Sequence, residues 1–317
     1  MSVFIVAEMS CNHGGDLQTA YELIDVANDA GADAVKISLD NPRGGITLPV
    51  YNKYFKMKSG PWKGEYLYDL YKRTATPWRW VPKLKKHAKR LGIELFSTVS
   101  CIQGVAFCDY HDLPRYKVSS FEACDIPLLR AIKDTGRPVI ISCGADWQDG
   151  YDEMLEYEGK ASFLYCVSKY PATWSDFDLW SIWKYDGISD HSLGGEVAIA
   201  AVAQGAKIVE KHLTLSRENK TADAAFSMEP EEFKSMITQI RHIETAMLPK
   251  RKKAVDRSLC KSLFAAEDIR AGERYTERNI AIVRPGYGLP PKEYYRVIGE
   301  IAKCDIKKGT PIKEGML

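Results

Sequence analysis

The stretch Gly187-Ile-Ser-Asp-His-Ser192, read with Lys207-Ile-Val-Glu-Lys-His-Leu213, decides the fold. Each is a short strand-like run ending in a polar cluster with one histidine, His191 and His212. Between them lies Gly195-Glu-Val-Ala-Ile-Ala-Ala-Val-Ala-Gln-Gly205, an apolar helical segment closed by glycine. Strand, helix, strand is a βαβ unit, which sets the two strands parallel and side by side. The histidines then leave the same ends of neighbouring strands and can converge on one point. Two imidazoles with carboxylates nearby, Asp190 and Glu210, suit a divalent ion with open positions. Two polar residues at a barrel rim are the plainer alternative.

Working outward, strand then helix repeats from residue 3 to about 248. Phe4–Glu8, Ala34–Ser38, Glu94–Thr98, Tyr116–Ser120, Pro138–Ser142 and Phe163–Val167 are expected as strands one to six, before the opening pair. Leu17, Ala20, Leu23, Ile24 and Ala27 have helical spacing, and Gly31 stops that helix. Further helices are expected over 77–92, 105–108, 127–136, 152–157, 179–184 and 229–247. Eight such units predict an α/β fold, a TIM (β/α)8 barrel; a doubly wound open sheet is the rival. From Asp40 to Thr76 the repeat is interrupted by a long, aromatic-rich excursion. Such a loop inside a compact domain is usually functional, though packing on the barrel surface would also explain it.

Lys250-Arg-Lys-Lys253 breaks the apolar pattern and reads as a solvated linker. Beyond it Ser262–Ala266, Tyr275 and Ile280–Val283 are short and β-like. The expected division is a barrel over 1–248, a linker over 249–261, and a small β-rich domain over 262–317. The last is marginal alone, so it should dock on the barrel or on a second subunit.

Length allows one large domain, or one plus a small one: 317 residues, 45% hydrophobic and 27% charged. A net charge of +2 implies no strong field for nucleic acid or a membrane surface. No apolar run reaches spanning length, and Glu8 comes too early for a signal peptide. The eight cysteines show no CxxC spacing, so a reduced, cytoplasmic compartment is expected.

A barrel carries its active site at the carboxyl ends of its strands. The polar residues there are Glu8, Lys36, Thr98, Lys117, Ser120 with Glu122, Ser142, Tyr170, Ser189, His191, Glu210, His212 and Asp223. Lysines inside strands are unusual, because a buried ammonium needs an anion. Lys36 and Lys117 with several serines suit a phosphate or carboxylate ligand, unless they reach to the rim. Either could instead form a Schiff base. Glu8 and Asp223 are candidates for proton transfer. Asn12-His-Gly-Gly15 is either a ligand-facing loop or a plain turn.

Taken in order, Ala7-Glu8 with Asn12-His-Gly-Gly-Asp16, Gly31-Ala-Asp-Ala-Val-Lys36, Tyr116-Lys-Val-Ser-Ser-Phe-Glu122, Tyr170-Pro171, Ser189-Asp-His191, Glu210-Lys-His212 and Ala225-Phe-Ser227 resemble the sialic acid synthase family. Arg284-Pro-Gly-Tyr-Gly-Leu-Pro-Pro291 resembles its C-terminal antifreeze-protein-like (SAF) domain. Phe121-Glu122 and the excursion around Gly60-Pro-Trp-Lys-Gly64 look most like the pseudaminic acid synthase branch.

That resemblance implies an enzyme condensing phosphoenolpyruvate with an open-chain N-acetylated amino sugar. The products would be a nine-carbon 2-keto-3-deoxy acid and phosphate, with Mn2+ or Mg2+ as cofactor. It implies His191 and His212 as metal ligands, and Lys36, Lys117, Ser142 and Ser189 around phosphoenolpyruvate. Thr98 and Ser120 join the substrate side; Glu8, Glu122, Tyr170 and Asp223 surround the sugar and the water. Arg284 would reach the active site of a partner in a domain-swapped homodimer. Ser38, Ser168 and Ala224 depart from the family's usual residues, which leaves the acceptor open. A Schiff-base aldolase and a non-catalytic sugar-binding barrel are the competing readings.

Overall fold

The computed structural model describes residues 2–40, 45–144, 160–248 and 256–317. It divides into two units, Met1–Leu248 and Pro249–Leu317. In the first, eight parallel strands close into a barrel in sequence order. They are β1 (Phe4–Ser10), β2 (Ala34–Ser38), β3 (Glu94–Thr98), β4 (Tyr116–Val118), β5 (Val139–Cys143), β6 (Ala161–Cys166), β7 (Gly187–Asp190) and β8 (Ile208–His212). Closure is made by β1 on β8, with Phe4 beside Ile208 and Glu8 beside His212.

Successive side chains alternate between barrel interior and helix layer. Ile5, Ala7, Val35, Ile37, Ile188 and Val209 join the large core shared with the helices. Val6, Ala34, Phe96, Ile140, Leu164 and Ile208 point the other way and plug the barrel floor. Gly187 is required where β7 meets β8, since a Cβ there would collide with the Ile208 carbonyl.

The helices form where caps and periodicity agree. Helix Leu17–Ala30 buries Ala20, Leu23, Ile24 and Ala27, its N-cap Asp16 accepting from Thr19 N at 2.8 Å. It ends at Gly31 with φ 89°, which glycine adopts without strain. Helix Pro230–Met247 opens with a capping box of Glu229 and Glu232, and with proline in its first turn.

Three segments differ from expectation. Residues 77–92 are a 3-10 turn, Trp78–Trp80, and then an α-helix, Val81–Leu91. Leu179–Lys184 is 3-10 rather than α-helical. The excursion is not all loop, for it contains a helix, Leu67–Thr74. The helix expected over 152–157 and the charge run at 250–253 lie outside the described residues.

In the second unit β9 (Ser262–Ala265) pairs antiparallel with β10 (Ile280–Val283). Leu263, Ile269, Tyr275, Ile280, Val297, Ile306 and Ile312 form its own core. Tyr275 lies outside the two strands; it is buried, and its hydroxyl donates to Met316 O at 2.8 Å.

Candidate active site

Above the apolar plug the barrel interior turns polar. The inward faces of β1 to β5, β7 and β8 bring Glu8, Lys36, Thr98, Lys117, Ser142, Ser189 and Glu210 to one cavity of about 380 Å³. Ser120, Glu122, Tyr170, His191, His212 and Asp223 line the same cavity nearer its mouth. Arg284 belongs to the other unit, where it is exposed at the end of β10.

The two lysines are buried and held in place. Lys36 Nζ ion-pairs with Glu8, donates to Thr98 Oγ1 at 2.9 Å and lies 3.6 Å from Glu210 Oε1. Lys117 Nζ donates to Ser142 Oγ at 2.7 Å and to Val118 O at 2.8 Å, with Glu210 Oε1 at 3.9 Å. Ser189 donates to that same Glu210 oxygen at 2.9 Å. Burial presses Lys36 down, but Glu210 and Glu8 outweigh it and hold the ammonium above its usual range. For Lys117 burial wins, and its pKa falls. Burial also lifts Glu8 from 4.5 to about 7, against the pull of Lys36. Glu210 is the reverse case: burial raises it, yet Lys117 and Lys36 bring it below the usual carboxylate range. Two buried lysine amines thus share one firm carboxylate, Glu210, and one acid raised to about 7, Glu8, and this donor-rich, dry floor suits an anionic ligand.

At the mouth the histidines converge, with ring centroids 5.4 Å apart. His191 Nδ1 lies 3.1 Å from Val167 O. A carbonyl only accepts, so Nδ1 carries the hydrogen and Nε2 the lone pair. His212 Nδ1 is buried with no hydrogen-bond partner, 3.9 Å from Asp223 Oδ2. Burial lowers His191 to about 4, and burial with the neighbouring His191 carries His212 well below its usual value. Both rings are therefore neutral donors at physiological pH, which is the form a metal binds. Among the described residues no three His, Cys, Asp or Glu groups cluster closely enough to enclose an ion. The donor set fits a site with two protein nitrogens and the remaining positions open.

Tyr170 packs on His191, ring centroids 4.3 Å apart, and its ring lies 5.5 Å from that of Trp62. Trp62 Nε1 donates to Ala222 O at 3.0 Å, which fastens the excursion beside Asp223. Asp223 accepts from Ser10 Oγ at 2.6 Å, and burial lifts its pKa.

Residues 23–252 match the NeuB family, and residues 261–317 match the SAF domain. The chain belongs to the NeuB family. It is 36% identical to the pseudaminic acid synthase of Campylobacter jejuni serotype O:2, over 99% of this chain and 96% of that protein. It is 31% identical to the N,N'-diacetyllegionaminic acid synthase of the same strain, over 98% of each. Among solved structures it resembles the N-acetylneuraminic acid (sialic acid) synthetase of Leptospira borgpetersenii, in complex with citrate. That likeness has a TM-score of 0.69 and 30% identity, covering 80% of this chain and 88% of that one.

For this NeuB-family chain one expectation needs correction, and of the two readings of Asn12-His-Gly-Gly15 the plain turn holds. Asp190 is not among the residues lining the cavity with the histidines. The strand alternation turns it to the helix side, where its Oδ2 lies 2.7 Å from Lys211 Nζ and both are buried. Asn12 and His13 are not among the cavity's lining residues. Asn12 Nδ2 donates to Leu213 O at 2.9 Å and to Ser227 Oγ at 2.8 Å, while His13 packs edge-on against Trp80. They fix loops behind the site.

Other lining residues escape the sequence reading. Leu67, Leu70, Tyr71 and Thr74 line the cavity from one face of the short helix. Their spacing of i, i+3, i+4 and i+7 is a readable signal. Ser10 and Asp40 also line it. Of the family departures, Ser38 Oγ donates to Asp40, Ser168 Oγ lies 2.6 Å from Ser120 Oγ, and Ala224 is buried.

Proposed function

We propose that this chain condenses phosphoenolpyruvate with an open-chain N-acetylated amino sugar, giving a nine-carbon 2-keto-3-deoxy acid and inorganic phosphate. The observation that carries the reading is the buried Lys36–Lys117 pair directly beneath two neutral, convergent histidines. An anion-binding floor under an ion-binding rim suits a doubly charged enol phosphate and an aldehyde. The named activities of the relatives support the same class.

His191 and His212 would hold Mn2+ or Mg2+, which when bound supplies Lewis-acid polarisation of the aldehyde oxygen. Lys36 and Lys117 bind the phosphate and carboxylate, helped by the hydroxyls of Thr98, Ser142 and Ser189. So held, carbon 3 of phosphoenolpyruvate bonds to the aldehyde carbon as the C=O π bond breaks, the aldehyde oxygen takes up a proton to become a hydroxyl, and positive charge develops at carbon 2. Water adds at carbon 2 and gives up its proton to Glu8, whose pKa of about 7 suits a base near neutrality. The resulting hemiketal phosphate loses phosphate by carbon–oxygen cleavage. Asp223, oriented by Ser10, is placed to hold the sugar or its water, and Tyr170, Ser120 and Glu122 close the acceptor side. Arg284 would be supplied by a second copy in a domain-swapped homodimer.

A second reading draws on the lowered pKa of Lys117, which favours a free amine and hence a Schiff base. One experiment separates the two. Phosphate release is followed from phosphoenolpyruvate with Mn2+ across a panel of N-acetylated hexoses, with and without EDTA. Release that needs one sugar and disappears with EDTA supports the synthase. Borohydride trapping on Lys117 that survives EDTA would replace it with the aldolase. Sugar binding without any release would favour the non-catalytic barrel.

A further inference from the structure

The cavity is electrically lopsided. Lys36, Ser38 and Asp40 follow one another at every second position, so their side chains share a face as the chain climbs from β2 toward the mouth. Four residues of extended chain span at most about 14 Å. One end of this ladder is an ammonium and the other a carboxylate.

Asp40 lines the cavity and has one unspent valence. Its Oδ2 accepts from Ser38 Oγ, which fixes the rotamer. Its Oδ1 is fully buried and has no hydrogen-bond partner. Glu122 lines the same end and is itself oriented by Ser119 Oγ. Among the described residues neither carboxylate is ion-paired with a lysine or arginine. Burial and then the charge of Asp40 lift Glu122 from 4.5 to about 7, so the two acids feel each other across the cavity. Around them Ile46, Met57, Leu67 and Leu70 are apolar. A buried carboxylate oxygen without a donor is costly in such surroundings, and a ligand donor would relieve it.

We infer that Asp40 is a specificity-determining residue for the acceptor: its free oxygen accepts an N–H or O–H from an uncharged amino sugar, and together with Glu122 it rejects a phosphorylated one. This rests on the acceptor being a sugar, as proposed above. The excluded class follows from charge, because an anion placed here would meet two carboxylates and, among the described residues lining this end, no cation. The lysines feel these acids, but their Nζ atoms are already held by Glu8, Glu210, Thr98 and Ser142 at the floor.

The test is calorimetric binding of N-acetylmannosamine, a 2,4-diacetamido-2,4,6-trideoxyhexose and N-acetylmannosamine 6-phosphate to wild type, D40A and D40N. Phosphoenolpyruvate is titrated as a control, and turnover is measured in parallel. The amide in D40N is not a neutral replacement: if it keeps the Ser38 bond, its NH2 turns toward the ligand, donor against donor. Wild type should bind a neutral sugar and reject the phosphate ester. Both variants should lose about ten- to a hundredfold in neutral-sugar affinity while phosphoenolpyruvate binds within about twofold of wild type. The gap between neutral and phosphorylated sugars should narrow in D40A. Unchanged sugar affinity in both folded variants overturns the inference, as does wild type binding the 6-phosphate equally well. Neutral-sugar binding that depends on Asp40, without turnover, would sink the synthase reading and leave the inference standing. No sugar binding by wild type removes both.

Discussion

Glu210 Oε1 lies 3.6 Å from Lys36 Nζ and 3.9 Å from Lys117 Nζ, so a single carboxylate oxygen holds both ammoniums of the barrel floor. Removing that charge leaves the buried Lys36 ammonium and its neighbour Lys117 with only Glu8 to answer them. Glu210→Gln should cost about 3–5 kcal/mol of stability. Phosphoenolpyruvate or inorganic phosphate should recover more melting temperature in the variant than in wild type. Equal anion-induced shifts in thermal unfolding would argue against an anion-binding floor.

The histidine pair gives a direct metal prediction. His212→Ala removes the ring whose buried Nδ1 has no partner. Mn2+ binding by calorimetry and turnover should both be lost, with folding intact by circular dichroism. Wild-type turnover in this variant would end the assignment of His212 as a ligand.

Glu8 should govern the acid limb of the pH profile. With a pKa near 7, it gains its proton as pH falls and ceases to act as a base. kcat/KM should therefore rise with pH through about 7 and then level. Glu8→Gln should remove that limb and lower kcat by about 10²- to 10⁴-fold. A limb that persists in the variant belongs to another group.

Glu122 carries a stability signature of the opposite sense to an ordinary surface acid. Its folded pKa, about 7, exceeds the unfolded value of 4.5, so the folded state binds more protons between them. Its contribution is favourable below 4.5 and fades as pH rises through 7. Glu122→Gln escapes that loss. The variant should gain stability relative to wild type at pH 8 and little at pH 5, by at most about 3 kcal/mol. Urea unfolding at the two pH values measures it.

The Asp190–Lys211 pair should behave as a strut. Asp190→Asn alone leaves a buried ammonium and should cost about 3–5 kcal/mol, whereas replacing both partners by apolar side chains, D190L with K211M, should cost much less. Denaturant midpoints of the single and double variants compare them.

The chain made its barrel legible through period. Strand runs separated by capped helices gave the eight-fold count, and lysines in otherwise apolar strands marked the floor. The same period, applied more strictly, separates Ser189 and His191 from Asp190, which proximity in sequence had grouped together. The helix Leu67–Thr74 was hidden for a different reason. Its cavity face mixes leucine with tyrosine and threonine, and the surrounding aromatics masked the spacing. Asp40 carried no signal by itself. Its meaning depends on a missing hydrogen bond, and only three-dimensional placement reveals an absence of that kind.

The alternation along β8 has an evolutionary consequence. Glu210 and His212 face the cavity while Val209 and Lys211 face the helices. Inserting or deleting one residue in this strand would exchange the two sets, burying the ligand-side groups in the apolar layer and presenting valine and lysine to the substrates. Changes of length are therefore absorbed in the loops, whereas residues within the strands can be exchanged, as Ser38 in β2 is, so long as the phase is kept.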